Sequence, residues 1–437
     1  MINDIINKRT LMKNLIKVLL PILIIILISI LFINWSFFKK KKKVQPITLK
    51  VMWWGGQTRH DKTLKVIDMF EEQNPEIKIE PIYTSWDGYW DKLAPLVASN
   101  EMPDVVQMTI QNMPQFAEKG LLADLGAINT IDLSDMDRIF KELGSLEGKF
   151  LGVTLGANAP CLIYNKNIFD KAGVSYPDDQ WTWEDLEKKA DRINAKLGIA
   201  GVNSIIRDYN DFEVFARERG ETIYSIDNKV GFSQKTLVDF LELGQRMIKS
   251  GGMESMKVTM EFRSNEENTS YAHGKAAMMF LWSNKIVGVK KTLGKDSEIV
   301  VYPGPNSFDK GMYIKPGLFF CIARSSKYQE QAGKFVDFFV NNIGANIVLD
   351  AERGIPVFSN VRRALSENAD SQNKKIFEFM DKLGKLANNP MDRNFPVEDR
   401  EVKVIMRNTM EEVGLDRISA NEGAKKIIGE WNKVLLK

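Results

Sequence analysis

Between Ile47 and Thr109 the chain alternates strand-like and helix-like runs, and this alternation narrows the fold more than any other feature. Ile47-Thr-Leu-Lys-Val-Met-Trp-Trp54 is apolar and β-branched and stops at Gly55-Gly56, as a strand does. Leu64, Val66, Ile67, Met69 and Phe70 then recur at helical spacing, and Asn74-Pro75 closes that run. Ile77 to Tyr83 alternates as a second strand, a helix is expected around Tyr89 to Asn100, and Asp104 to Thr109 reads as a third strand. Strands and helices in this rhythm predict a parallel α/β sheet.

The rest of the chain keeps that grammar. Phe150 to Tyr164 is strand-rich, with Gly156-Ala-Asn-Ala-Pro160 as an irregular joint suited to a crossing between lobes. Thr182-Trp-Glu-Asp185 is a capping-box start for a helix running toward Leu197. Thr236 to Ser250 is amphipathic and ends at Gly251-Gly252. Strand character returns at Ala276–Trp282 and Glu298–Tyr302. Helices are expected at 327–342, 344–352, 372–385, 397–413 and 420–436.

A second constraint sits at the N-terminus. Val18 to Phe38 is apolar except for Pro21, Ser29 and the Asn34/Ser36 pair, and about 20 such residues span a bilayer as a helix. Lys8, Arg9, Lys13 and Lys17 precede the run, and Lys39 to Lys43 follow it. No Ala-x-Ala cleavage pattern ends the run, and no cysteine follows it, so an uncleaved signal anchor is expected. With both flanks basic, charge does not fix the orientation. The lysine block reads as a solvated spacer at the membrane edge, or as a patch for anionic lipid headgroups.

Composition limits the remainder. About 390 of the 437 residues follow the apolar run, more than one core of roughly 250–300 residues holds, so two lobes are expected. Lysine and arginine number 60 against 57 acids, for a net charge of +3. Without the five-lysine block the folded part is near neutral, which argues against nucleic acid. Two histidines, His60 and His273, and two cysteines, Cys161 and Cys321, are too few for a zinc site. His-Glu-x-x-His, Gly-x-Ser-x-Gly and the phosphate loop are absent, so no metal, cofactor or catalytic residue is expected.

Five segments in order resemble the bacterial extracellular solute-binding proteins of carbohydrate ABC importers, the maltose-binding-like family 1. They are Leu49-Lys-Val-Met-Trp-Trp-Gly-Gly56 with Phe70-Glu-Glu-Gln-Asn-Pro75, and Pro103-Asp-Val-Val-Gln-Met108 leading to Phe116-Ala-Glu-Lys-Gly-Leu-Leu122. Then come Leu162-Ile-Tyr-Asn-Lys166 with Ala172-Gly-Val174 and Trp181-Thr-Trp-Glu-Asp-Leu186, then His273-Gly-Lys-Ala-Ala-Met-Met-Phe280, then Arg353-Gly-Ile-Pro-Val357. The missing lipoprotein cysteine departs from the family and bears on anchoring, not on fold. The resemblance implies a two-lobed α/β fold of the periplasmic-binding-protein type II kind, with hinge strands, and the apolar run adds an N-terminal transmembrane helix before it. Residues 1–43 would be a cytoplasmic stub, the anchor at about 18–38 and the lysine block. The first lobe would be 44–157 plus about 276–320, and the second about 158–275 plus 321–437 with the C-terminal helices. Crossings are expected near Gly156–Cys161, Ala276 and Phe319–Cys321, which would make the two cysteine segments neighbouring hinge strands. Cys161 and Cys321 would then form a disulfide or stay as buried free thiols.

The implied activity is binding without catalysis: a monomer on the membrane holds a sugar or oligosaccharide outside the cell and passes it to ABC permease subunits. Sugar rings need flat aromatic platforms and planar polar groups, placed where open α/β sheets put ligands, at carboxyl strand ends. Gln57 and Arg59 follow the first strand, and Trp54 ends it while Trp53 points inward. Trp86-Asp-Gly-Tyr-Trp90 is the densest aromatic cluster. It offers Trp86 or Tyr89 as a platform, with Trp90 as the core wedge. Gln107 and Thr109 share a face at the third strand's end. Asn158 lies in the first crossing and can both donate and accept. Trp282 ends a strand and is the leading stacking candidate, the alternative being hinge packing. Arg353 would bracket a hydroxyl or carboxylate, or simply complement a helix C-terminus. Any of Arg59, Arg207, Arg263 and Arg353 in the cleft would favour an acidic sugar. Two rivals stay open: an anchored carbohydrate-active hydrolase, although no carboxylate pair stands out by spacing, and a ligand sensor built on the same fold.

Overall fold

The computed structural model describes residue 29 and residues 46–207, 209–261, 269–289, 297–300, 302–304, 311–369, 371–386, 391, 395–396 and 398–436. The expected membrane-spanning run Val18–Phe38 lies outside the described residues apart from Ser29. Among those described, no helix is long and apolar enough to cross a membrane. The chain divides into two compact units, one of Met1–Thr48 with Asn74–Lys78 and one of Leu49–Gln73 with Ile79–Lys437. In the first, the Ile47 amide donates to the Glu76 carbonyl at 2.9 Å. The second carries the α/β body.

The strands are β1 (Ile47–Trp54), β2 (Ile77–Thr84), β3 (Val105–Met108), β4 (Ser145–Leu146), β5 (Lys149–Phe150), β6 (Val153–Asn158) and β7 (Pro160–Asn165). They continue as β8 (Ala200–Val202), β9 (Ala276–Trp282), β10 (Ser297–Val300) and β11 (Lys315–Ile322). One sheet runs β2-β1-β3-β11-β6, a second β10-β7-β9-β8, and β4 and β5 form a small hairpin. In the first, β1 and β3 are parallel, with Val51 opposite Val105. β11 runs against β3 and β6, with Phe319 opposite Met108 and Lys315 opposite Asn158. In the second, β8 and β9 are parallel, and β7 runs against β9 with Pro160 opposite Trp282.

Helices cover the sheets through apolar stripes. The Gln57–Gln73 helix buries Val66, Ile67 and Phe70. The Phe70 ring meets Phe335 and Phe338 of the Gln329–Asn341 helix at 5.2 and 5.5 Å. Truncating such a phenylalanine costs about 3–5 kcal/mol, so Phe70→Ala would loosen this layer. On the second sheet, the Trp183–Leu197 helix starts with the expected capping box, Thr182 Oγ1 accepting from the Asp185 amide and Asp185 accepting from the Thr182 amide. It lies so close to β8 that a Cβ on Gly201 would sit 2.2 Å from Ala190 Cα.

The sheets divide the chain differently from the expected lobe boundaries. The chain passes from the first sheet to the second at Ala159, between β6 and β7. β9 and β10 then remain in the second sheet, so the return lies between Val300 and Lys315, where β11 enters the first sheet. The segment after Leu349 still belongs with the first sheet, since Ile355 exchanges amide bonds with Ala157 at 2.8 and 2.9 Å. The chain reaches the second sheet again at the Ser371–Leu386 helix, where the Lys375 ammonium bonds the Ser297 carbonyl and Glu298. Buried Arg362 bridges this last passage, gripping Asp137 on one side and Asp381 on the other. Cys161 and Cys321 are buried free thiols in different sheets, opposite Leu281 and Val106, and no disulfide joins them.

Candidate functional site

Strand direction shows where a ligand would sit. The Gly55 amide donates to the Thr84 carbonyl, so β1 and β2 end together, and β3, parallel to β1, ends beside them. The antiparallel pairing of β11 puts Lys315 and Asn158 on that same edge. In the second sheet, β8 and β9 end at the edge where β7 begins. The chain crosses from Asn158 to Pro160 through one residue, so the carboxyl edges of both sheets face the crossing. Ala159 is clamped there: its amide donates to Ser283 Oγ at 3.1 Å and its carbonyl accepts from the Ser283 amide at 2.9 Å.

The first-sheet edge is largely closed upon itself. Trp54 is only 6% exposed, its ring enclosed by Trp86, Tyr89 and Trp90 at centroid distances of 5.0, 4.7 and 5.9 Å. Both Trp53 and Trp54 are buried because helices cover both faces of a parallel strand, which removes the inside–outside alternation. Tyr89, expected as a possible platform, is the core wedge instead. It is fully buried, its hydroxyl donates to the Gln107 carbonyl at 2.7 Å, and burial pushes its pKa well above the ordinary value. Trp90, expected as the wedge, is half-buried, and Trp86 at the helix start is 47% exposed.

Gln107 is also removed from solvent. Its amide nitrogen donates to the Trp54 carbonyl at 3.2 Å, and its oxygen accepts from Arg353 Nε at 3.3 Å. Arg353 is neither a free cleft cation nor a helix cap. Its Nη2 bonds Thr63 Oγ1 at 2.8 Å, its Nη1 reaches Glu352 at 3.3 Å, and the guanidinium lies 5.2 Å from the Phe339 ring centre. Burial, and then the Arg59 charge, bring its pKa down to about 9, with Glu352 opposing, so it stays charged at neutral pH. Arg59 takes Glu352 through Nε at 2.7 Å and the Trp54 carbonyl through Nη1 at 3.2 Å. Trp54, Tyr89, Arg59, Gln107 and Arg353 thus form one self-satisfied block behind the cleft.

What remains at the edges is smaller and more open. Gln57 is exposed on the first turn of its helix and bonds Asp61 one turn on, at 2.7 Å. Thr109 is half-buried and shares its hydroxyl with Asn112 in the turn after β3. Asn158 is half-buried, and its Oδ1 is shielded from solvent with no hydrogen-bond partner among the described residues. Trp282 is half-buried at the end of β9. Its ring meets Tyr313 edge-on at 5.9 Å, and the Lys315 ammonium stands 5.6 Å from its centre. Arg207, in the turn after β8, is half-buried, whereas Arg263 lies outside the described residues.

The structure adds residues that the sequence pattern did not point to. Tyr209–Glu218 is a helix whose Asp211, Glu213, Arg217 and Glu218 are all buried. Tyr302 donates to Asp211 and Tyr313 to Glu213, each at 2.7 Å, while the Trp183 indole donates to Glu218 at 2.8 Å. So many charges read as a solvated face, and their buried partners lie up to 100 residues away. Lys315 carried one available signal: it opens Lys-Pro-Gly-Leu-Phe-Phe-Cys-Ile at the start of a strand.

Residues 65–378 match the family described as bacterial extracellular solute-binding protein. The chain belongs to this family. A solved structure described as an extracellular solute-binding protein family 1 from Alicyclobacillus acidocaldarius superposes with a TM-score of 0.83 at 26% identity, covering 90% of this chain and 99% of that one. A periplasmic oligogalacturonide binding protein from Yersinia enterocolitica shares the fold, with a TM-score of 0.73 at 22% identity over 89% of this chain and 99% of that one. A binding protein of Brucella abortus (strain 2308) is 25% identical over 280 residues, which is 62% of this chain and 66% of that protein, just under two thirds of its length. The two-sheet α/β body with a cleft-facing crossing is the two-lobed fold of these solute-binding proteins.

Proposed function

We propose that the chain is a membrane-anchored extracellular receptor that captures a sugar or oligosaccharide between its two sheet edges and delivers it unchanged to an ABC permease. The observation that carries this is the crossing itself. Two partly exposed indoles, Trp86 after the end of β2 and Trp282 at the end of β9, belong to the carboxyl edges of the two sheets, and the buried Asn158 Oδ1 at the crossing lacks a donor among the described residues. A sugar supplies both needs, since its apolar ring faces cover aromatics and its hydroxyls donate to an amide oxygen. A buried acceptor without a partner costs about 1–3 kcal/mol, which a ligand hydroxyl would relieve. Contacts to both edges favour the closed population, and closure is what a permease would read. The family's description supports the extracellular placement, and the apolar run Val18–Phe38 is the sequence feature that suggests the anchor.

The test is a thermal-shift screen of the full chain, purified in detergent, against an oligosaccharide library. A ligand present at a hundred times its dissociation constant stabilises by about 2.7 kcal/mol. The same mixtures, analysed by mass after incubation, should return every saccharide intact. Cleavage products would assign the chain to hydrolases, and a screen without one stabilising saccharide would remove the sugar reading.

A further inference from the structure

We propose that the ligand of this cleft carries a carboxylate or phosphate group, and that Arg207 takes it. The inference rests on the saccharide reading and names the class within it.

Among the described residues, Arg207 is the one arginine that is neither exposed nor bonded to another protein group. Arg59, Arg217, Arg353 and Arg362, the others withdrawn from solvent, each hold a carboxylate or a carbonyl. A guanidinium that has lost part of its hydration and gained no acceptor among the described residues is poised for one from a ligand. Its fork of donors fits the paired oxygens of a carboxylate or phosphate better than a single hydroxyl.

Its placement suits that role. β8 ends at Val202, and the turn that follows is tied to β9: the Asn203 amide donates to the Met278 carbonyl at 3.2 Å, and Asn203 Oδ1 accepts from the Phe280 amide at 2.9 Å. Arg207 thus follows the carboxyl end of β8 on the same sheet edge as Trp282. A second cation, Lys315, lies beside the Trp282 ring at the crossing, opposite Asn158 in the β-ladder. Among the described residues, the Asp211 and Glu213 carboxylates of the helix that follows are buried and paired. Glu213 accepts from Tyr313 and lies in electrostatic reach of Arg217, Lys315 and Lys403, and Asp211 accepts from Tyr302. Stacking surface, hydroxyl acceptor and cations together fit a uronic acid or a sugar phosphate.

The full chain in detergent is titrated by calorimetry with digalacturonate, glucose 6-phosphate and neutral maltose at low and at raised salt. The expected result is binding of at least one acidic probe about tenfold or more tighter than maltose, weakening as salt rises. Uronate binding without phosphate binding identifies a carboxylate ligand, and the converse a phosphate ligand. Arg207→Gln should lose about 10- to 100-fold of that affinity, the range of a charge-assisted bond, with Arg207→Lys in between. Lys315→Gln, measured in parallel, gives a second test if Arg207→Gln does not fold, and should also weaken the acidic probe selectively. Maltose binding as tightly as both acids overturns the inference and leaves the saccharide reading standing. An acidic probe that binds Arg207→Gln as tightly as the native chain removes Arg207 from the role. If no probe binds, and the wider library also fails, the saccharide reading itself falls.

Discussion

The two edges of the cleft are finished to different degrees. On the first sheet, the polar groups behind Trp54 are consumed by one another, running through Arg59, Glu352, Arg353, Gln107 and Thr63. At the crossing and on the second sheet, Asn158 Oδ1 and Arg207 have no partner among the described residues, and Trp282 is only half-buried. Networks that satisfy themselves rigidify a wall, whereas unmet donors and acceptors call for a ligand. On the proposed reading, the first edge is a preformed anvil and selectivity resides across from it.

The sharpest way to break this contrast is Arg353→Met. It leaves the buried Gln107 oxygen without its donor and Glu352 with Arg59 alone, and removing one partner of a buried charged network costs about 3–5 kcal/mol. Urea unfolding should show a loss of that size. A loss below about 1 kcal/mol, the worth of an exposed ion pair, would mean the block is no rigid wall. By contrast, Trp282→Ala should leave unfolding nearly unchanged and act on the ligand. Truncating a central aromatic anchor costs about 2 kcal/mol or more, roughly a 30-fold weaker dissociation constant. An unchanged affinity with reduced stability would return Trp282 to hinge packing.

This division was only partly legible in the sequence. Periodicity located β1, β2, β3 and β9, and Thr182/Asp185 announced their helix, because these signals are local. The lobe to which β9 and β11 belong is decided by pairing with strands more than 100 residues away, which local patterns do not encode. The same holds for site residues. The strand-end positions of Trp282 and Asn158 were readable, since each closes a local strand pattern. That Gln107 and Arg353 would satisfy each other was not, since they stand 246 positions apart. The Tyr209–Glu218 helix was hidden for a related reason: its charges looked solvated until their tyrosine and tryptophan partners folded over them.

The next smaller effect tests the hinge that lets the two edges approach. A Cβ on Gly156 would sit 2.8 Å from the Arg353 carbonyl oxygen, and one on Gly317 2.6 Å from the same atom. Gly354, at φ +114°, completes this close passage of three segments. Gly156→Ala must push the 353–355 segment off β6, at a cost of about 1–3 kcal/mol for overpacking. Small-angle scattering should show its ligand-induced compaction reduced, whereas a native-like change would place the pivot elsewhere.

The smallest predicted effect concerns acid. His60 lies buried on the first edge, where its Nδ1 accepts from the Trp53 indole at 3.1 Å and its ring lies against Tyr83 at 4.5 Å. That bond needs the neutral imidazole. Burial, and then the charges of Arg59 and Arg353, pull its pKa below the ordinary 6.5, against weaker pulls from Asp61 and Glu352. The unfolded chain therefore takes up a proton before the folded one does. Stability from His60 is whole above about pH 6.5 and is lost as pH falls through the lowered folded value. Each tenfold weakening of proton affinity on folding is worth about 1.4 kcal/mol. Asp185, held below its ordinary value by Thr182, gives up its share only in more acidic solution, below about pH 4. His60→Asn keeps an acceptor near the indole but does not titrate. Its melting temperature should fall less than the native chain's between pH 7 and pH 5. If the two curves run parallel, the first edge owes its rigidity to the arginine network and aromatic packing, and His60 contributes volume alone.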